Sequence, residues 1–178
     1  MELASFIIAC TAFAFSVFTF FFYDNKLKKQ GITCLIFDLD NTLGLIEHEK
    51  CPLKTKKLLK ELQKDFLILI SSNNTKKRIA PYLKDLGIGG VAFSLKPSTK
   101  GLGKIKKHYN LNKKEMVMIG DQIVTDILSG NRYKIMTILV DPLGEKDLRI
   151  TGLNRKIEAR IIKYYKKRGM FERGKYYG

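Results

Sequence analysis

The run Leu35-Ile36-Phe37-Asp38-Leu39-Asp40-Asn41-Thr42-Leu43 constrains this chain more than any other stretch. An apolar segment ends abruptly in two aspartates spaced one apart, with a threonine two further on. In an extended strand, residues two apart share a face. Asp38 and Asp40 are therefore expected near one another, just past the carboxyl end of a buried strand. Carboxylates that close repel unless a cation sits beside them or one keeps a proton. Such a pair suits a Mg²⁺ site and a division of labour: one carboxylate attacks as a nucleophile, the other works as general acid and base. A strand end with a polar turn would account for D-x-D alone. The choice turns on whether the partners of such chemistry occur downstream.

The rest of the chain alternates two periods. Near-continuous apolar runs at 32–37, 66–70, 91–94, 116–119 and 135–140 read as strands buried on both faces. Between them, 54–64, 75–86 (closed by Gly87), 98–109 and 123–131 carry apolar residues at helical spacing, and 154–168 adds a last, strongly basic helix. Strands alternating with helices predict an α/β, Rossmann-like parallel sheet with helices on both faces. In such sheets the site lies beyond the carboxyl ends of the strands.

Four predicted strand ends carry polar residues: Asp38, Asp40 and Thr42; Ser72 and Asn73; Lys96; Asp121 and Asp126. Each has a use in phosphoryl transfer. Ser72 offers a hydroxyl to a phosphate oxygen, and Lys96 a fixed positive charge against the transferring group. Asp121 supplies a further hard oxygen ligand for Mg²⁺. Asp126, one helical turn on, is placed to hold Lys96 or a metal-bound water. Alone, each has a bland reading as a helix cap, a solvated lysine or a turn residue. Their joint occurrence in order at successive strand ends favours the chemical one.

Taken together, Asp38-Leu39-Asp40-Asn41-Thr42, Ser72, Lys96 and Gly120-Asp121 through Asp126 resemble the four motifs of the haloacid dehalogenase-like (HAD) phosphatase superfamily. Gly120-Asp121-Gln122-Ile123-Val124-Thr125-Asp126, Gly130-Asn131-Arg132 and Thr137-Ile138-Leu139-Val140, with Lys96-Pro97, Asn154-Arg155 and Glu158, resemble more narrowly its subclass IIIA, YqeG-type branch, which includes phosphatidylglycerophosphate phosphatases. The resemblance implies that Asp38 forms an aspartyl-phosphate and that Asp40 protonates the leaving alkoxide and then activates water. It implies phosphate binding by Thr42, Ser72, Asn73 and Lys96. Mg²⁺ would be held by the Asp38 carboxylate, the Asp40 backbone carbonyl and Asp121, with Asp126 beside them. Spacing adds an independent point. Only 33 residues lie between Asp38 and Ser72, and 23 between Ser72 and Lys96. No room remains for a folded cap domain, so a bulky phosphomonoester could approach an open site.

Residues 3–23 are uncharged and hold seven of the chain's eleven phenylalanines. At ~1.5 Å per residue this run matches a bilayer core of about 30 Å. Lysines 26, 28 and 29 follow it. The expectation is a transmembrane anchor over 1–24, a basic linker over 25–31, a phosphatase domain over 32–170 and a tail over 171–178, in a single-pass membrane protein with its catalytic domain in the cytoplasm. The net charge of +16 fits anionic phospholipid as substrate and a membrane surface as partner. Along 154–168, Ile157, Ile161 and Ile162 would face the core and Arg160, Lys163, Lys166 and Lys167 the lipid. No nucleic-acid-binding signature is present, and no nucleic acid is expected. Three cysteines show no metal or redox spacing. The functional readings are a phosphatidylglycerophosphate phosphatase, a phosphatase of a soluble sugar phosphate or nucleotide, and an inactive binding module.

Overall fold

The computed structural model describes residues 26–144 and 151–169. Strand β1 (Cys34–Phe37) is flanked by β2 (Leu67–Ser71) and β4 (Met116–Gly120), with β3 (Gly89–Val91) and β5 (Met136–Leu139) at the edges. All neighbouring pairs are parallel, with Phe37 opposite Ile70 on one side and Ile119 on the other. Helices α1 (Leu53–Leu62), α2 (Lys76–Leu86), α3 (Lys100–His108), α4 (Leu128–Tyr133) and α5 (Thr151–Lys167) accompany the strands, with a 3₁₀ turn at Lys113–Glu115 and a π-helical turn at Ile123–Ile127.

The strands explain their own burial. Leu35 and Phe37 pack with Leu59 and Leu62 of α1 and Ile79, Tyr82 and Leu86 of α2. Cys34 and Ile36, one residue out of phase, pack with Leu102 and Ile105 of α3. Alternate side chains thus feed two separate cores, which is why a central parallel strand must be apolar at every position. Helices cover both faces, as the alternation predicts. The chain runs outward from β1 through β2 to β3, returns to β4 on the other flank of β1, and ends at β5. The reversal leaves a crevice between the carboxyl ends of β1 and β4.

Three expectations are corrected. The strand placed at 91–94 lies earlier, at Gly89–Val91. Its glycines disguise it, and a side chain at either would have to displace a neighbour. A β-carbon at Gly89 would come within 1.8 Å of the Tyr109 hydroxyl oxygen, and one at Gly90 within 2.8 Å of the Ile70 carbonyl oxygen. The helix over 123–131 is a π-helical turn, Ile123–Ile127, running into α4. Among the described side chains of α5, Glu158 is buried (4% exposed), Ile161 and Ile162 are half-buried with Ile162 packed against Ile127 and Leu139, and Ile157 is 40% exposed. A helix burying residues four apart presents one narrow stripe, and Ile157 falls off it.

The anchor expected over 1–24 lies outside the described residues, apart from which residues 26–29 are helical and Leu27 joins the core. Among the described residues no helix is long and apolar enough to cross a membrane. The longest, α5, has 17 residues and carries Lys156, Arg160, Lys163, Lys166 and Lys167. At ~1.5 Å per residue it is shorter than a bilayer core of about 30 Å, and its charges bar it from hydrocarbon. The single-pass membrane localisation with a cytoplasmic catalytic domain is corrected on that ground.

Candidate active site

The exit of β1 builds the centre. The Asp38 N–H donates to the Ile119 carbonyl at 2.8 Å, so the ladder to β4 outlasts the strand and fixes Asp38 in the crevice. Asn41 follows in the left-handed region at φ 61°, which asparagine tolerates. Its N–H donates to the Gly44 carbonyl at 2.8 Å. This turn sends the Thr42 hydroxyl across to Asp121 Oδ1 at 3.1 Å.

The exit of β4 brings two more carboxylates. Asp121 and Asp126 are 3% and 1% exposed. The π-helical turn curls Asp126 back, and its Oδ2 accepts from the Gln122 N–H at 3.1 Å. Gly120 makes this possible: a β-carbon there would lie 2.3 Å from Asp126 Oδ2. Oxygens of Asp38, Asp121 and Asp126 lie within 4.8 Å of one another.

Lys96 reaches in from the connection between β3 and α3. Its Nζ donates to Asp38 Oδ1 at 2.5 Å and to Asp126 Oδ1 at 2.6 Å. Burial by itself would lower this ammonium, but Asp126 and then Asp38 outweigh it and hold it above the ordinary lysine range. Asp38 moves up from the ordinary carboxylate range, through burial first, with Lys96 opposing and Asp126 and Asp121 adding to the rise. Apart from burial, the Asp126 and Asp121 carboxylates lie close enough to Asp38 to oppose its ionisation, while Lys96 favours it. A divalent cation coordinated by oxygen would balance these carboxylates, and the donor set of hard oxygens fits Mg²⁺.

Asn73 organises the lysine's loop. Its Nδ2 donates to the Lys96 carbonyl at 2.9 Å, and its Oδ1 accepts from the Lys96 N–H at 2.7 Å and the Ser94 hydroxyl at 3.1 Å. The Asn73 side chain thus holds the backbone of Lys96 on both sides. Ser72 is buried, and its Oγ accepts from the Asn74 N–H at 3.1 Å.

Asp40 stands apart from the carboxylate cluster. Its Oδ1 accepts from Arg78 Nε at 3.1 Å and Nη2 at 2.6 Å, and its Oδ2 from Asn74 Nδ2 at 3.0 Å. Nothing in the sequence marks Arg78 or Asn74 as partners of Asp40. Arg78 sits among lysines on a basic helix and carries no local mark. Glu158 accepts from the Val124 N–H at 3.2 Å, which ties α5 to the turn that carries Asp126. The eight expected residues gather at one end of the sheet, in two groups: Asp38, Thr42, Lys96, Asp121 and Asp126 around the crevice, and Asp40 beside Arg78, with Ser72 and Asn73 on the β2 exit between.

A parallel sheet with no inserted cap among the described residues, and an acidic cluster with one lysine at its switch point, define a Rossmann-like α/β domain with its site at the carboxyl ends of the strands. The family described as HAD-hydrolase-like matches residues 95–147. The probable phosphatase YqeG of Bacillus subtilis is 36% identical over 149 residues, covering 82% of this chain and 85% of its own length. The chain therefore belongs to the HAD-like superfamily, in its YqeG-type branch. A phosphatidylglycerophosphate phosphatase of Arabidopsis thaliana is 23% identical over 81% of this chain, which spans 44% of that relative's length. The cobalt-bound deoxy-D-mannose-octulosonate 8-phosphate phosphatase of Haemophilus influenzae shares the fold, with a TM-score of 0.50 and 17% identity over 84% of this chain and 98% of its own.

Proposed function

We propose that this protein hydrolyses a phosphomonoester through an aspartyl-phosphate on Asp38, and that its substrate is a lipid phosphomonoester of the phosphatidylglycerophosphate kind. The observation that carries the chemistry is Lys96 Nζ bridging Asp38 and Asp126 beside Asp121. The name of the plant relative supports the lipid, as does the lack of an inserted cap domain among the described residues.

In this reading Asp38 Oδ2, the oxygen not bound to Lys96, attacks phosphorus while the bond from phosphorus to the leaving oxygen breaks. Lys96 neutralises charge on the transferring group. The Ser72 hydroxyl and the Asn73 backbone N–H bind phosphate oxygens, and Thr42 keeps Asp121 turned inward. Asp40 gives its proton to the leaving alkoxide. It then takes one from a water that attacks phosphorus, and the bond to Asp38 breaks to release phosphate. Mg²⁺ bound by Asp38, the Asp40 carbonyl and Asp121, with Asp126 adjacent, would supply the positive charge that keeps Asp38 ionised and offsets the phosphoryl oxygens.

The test is phosphate release by purified protein with Mg²⁺ from detergent-dispersed phosphatidylglycerophosphate, beside soluble sugar phosphates, nucleotides and a chromogenic ester. Lipid turnover giving phosphatidylglycerol, abolished in Asp38→Asn, is expected. Turnover of soluble esters alone would move the substrate to that class. Inactivity on every ester would leave a binding module.

A further inference from the structure

We propose that Arg78, seconded by Asn74, is a positioning residue that makes Asp40 Oδ2 the proton-carrying oxygen of the acid/base carboxylate. This rests on the acid/base reading of Asp40 given above.

A carboxylate oxygen offers two lone pairs. Oδ1 of Asp40 accepts twice, from Nε and Nη2 of Arg78, and is saturated. Oδ2 accepts once, from Asn74 Nδ2, and keeps one lone pair for a proton. A fork on one oxygen and an amide on the other also remove the freedom of a torsion that is broad for aspartate. The guanidinium is itself held on several sides. Nη1 donates to the His48 carbonyl at 2.5 Å and Nη2 to the Leu45 carbonyl at 3.2 Å, and the group lies 5.3 Å from the Tyr82 ring centre. The backbone beneath it is pinned too, because the Arg78 N–H donates to the Thr75 hydroxyl that caps α2, at 3.3 Å. A lysine supplies charge but not the fork.

The test compares full-length wild type, Arg78→Gln, Arg78→Lys and Asn74→Ala, with Mg²⁺, on p-nitrophenyl phosphate and an alkyl phosphomonoester. The aryl leaving group departs without a proton; the alkoxide needs one. Mispositioning Asp40 should lower kcat/KM for the alkyl ester about 100-fold in Arg78→Gln and leave it within about threefold for the aryl ester, in the range general acid–base catalysis supplies. Acid-quenched Arg78→Gln should accumulate phosphate on Asp38 from the aryl ester, because water activation slows as well. Arg78→Lys should retain a loss above about tenfold on the alkyl ester. Asn74→Ala touches neither Leu45 nor His48, and should show the same split; it carries the test where Arg78→Gln does not fold. Equal losses on both esters, or full recovery with lysine, would overturn the proposal. Where wild type hydrolyses only the dispersed lipid, whose leaving group is an alkoxide, Arg78→Gln and Asn74→Ala should lose about 100-fold there and full activity would overturn the proposal; should wild type hydrolyse no ester, the acid/base reading itself falls and the proposal with it.

Discussion

Lys96 is where the charge of the site is decided. It is the one cation within reach of Asp38 and Asp126 among the described residues, and it is 6% exposed. Removing one partner of a buried ion network leaves charge uncompensated, at a cost of about 3–5 kcal/mol. Lys96→Met is expected to lose stability on that order in chelator, with part restored by Mg²⁺, as read by denaturant melts with and without the ion. Unchanged stability would mean that the carboxylates are not ionised together. The cysteines give a second check at this scale. Burial, with Glu115 adding, pushes the Cys34 thiol up to about 12; burial, with Asp85 adding, pushes Cys51 up to about 11. A raised thiol stays protonated at pH 8, and the thiolate is the nucleophile. Both should resist iodoacetamide in native protein and react once denatured, followed by mass mapping of the two peptides.

Among the elements, glycines separate packing from conformation. Gly87 ends α2 at φ +66° with nothing within 4 Å of an added β-carbon. Gly87→Ala should cost about 1 kcal/mol through the left-handed backbone alone and leave turnover per folded molecule unchanged. Gly120 differs, because its β-carbon would strike Asp126. Gly120→Ala should push Asp126 off Lys96 and lower kcat well beyond any loss of stability, checked by assay and melt on the same preparation. The π-helical turn between β4 and α4 belongs to the same device. It widens the backbone just where Asp126 must fold back onto its own strand exit.

The whole molecule joins strands and site into one unit. Asp38 and Asp121 leave adjacent central strands, and Lys96 arrives from the connection after β3, so the cluster exists only when the sheet is assembled. Mg²⁺ should then bind the native state alone and raise the melting temperature. At 100 times Kd the gain is about 2.7 kcal/mol, or roughly 5–10 °C for a domain of this size. Chelator should abolish turnover and Mg²⁺ return it. A melting temperature indifferent to Mg²⁺ would argue against the three-carboxylate site.

The amino-acid order alone carries the alternation of buried strands and amphipathic helices, since a strand burying both faces must be apolar at every position. It also determined the order in which Asp38, Ser72, Lys96 and Asp121 meet the strand ends, because parallel connections return every strand to the same edge. Tertiary structure alone decided the rest. Gly89 and Gly90 lack the side chains that mark a strand and are chosen by what packs on them. Which isoleucine of α5 turns inward depends on the partners Ile127 and Leu139, which receive Ile162. Arg78 is one basic residue among many until α2 docks 38 residues away from Asp40. Long-range polar pairs follow no local period, so only the assembled sheet reveals which arginine a carboxylate meets.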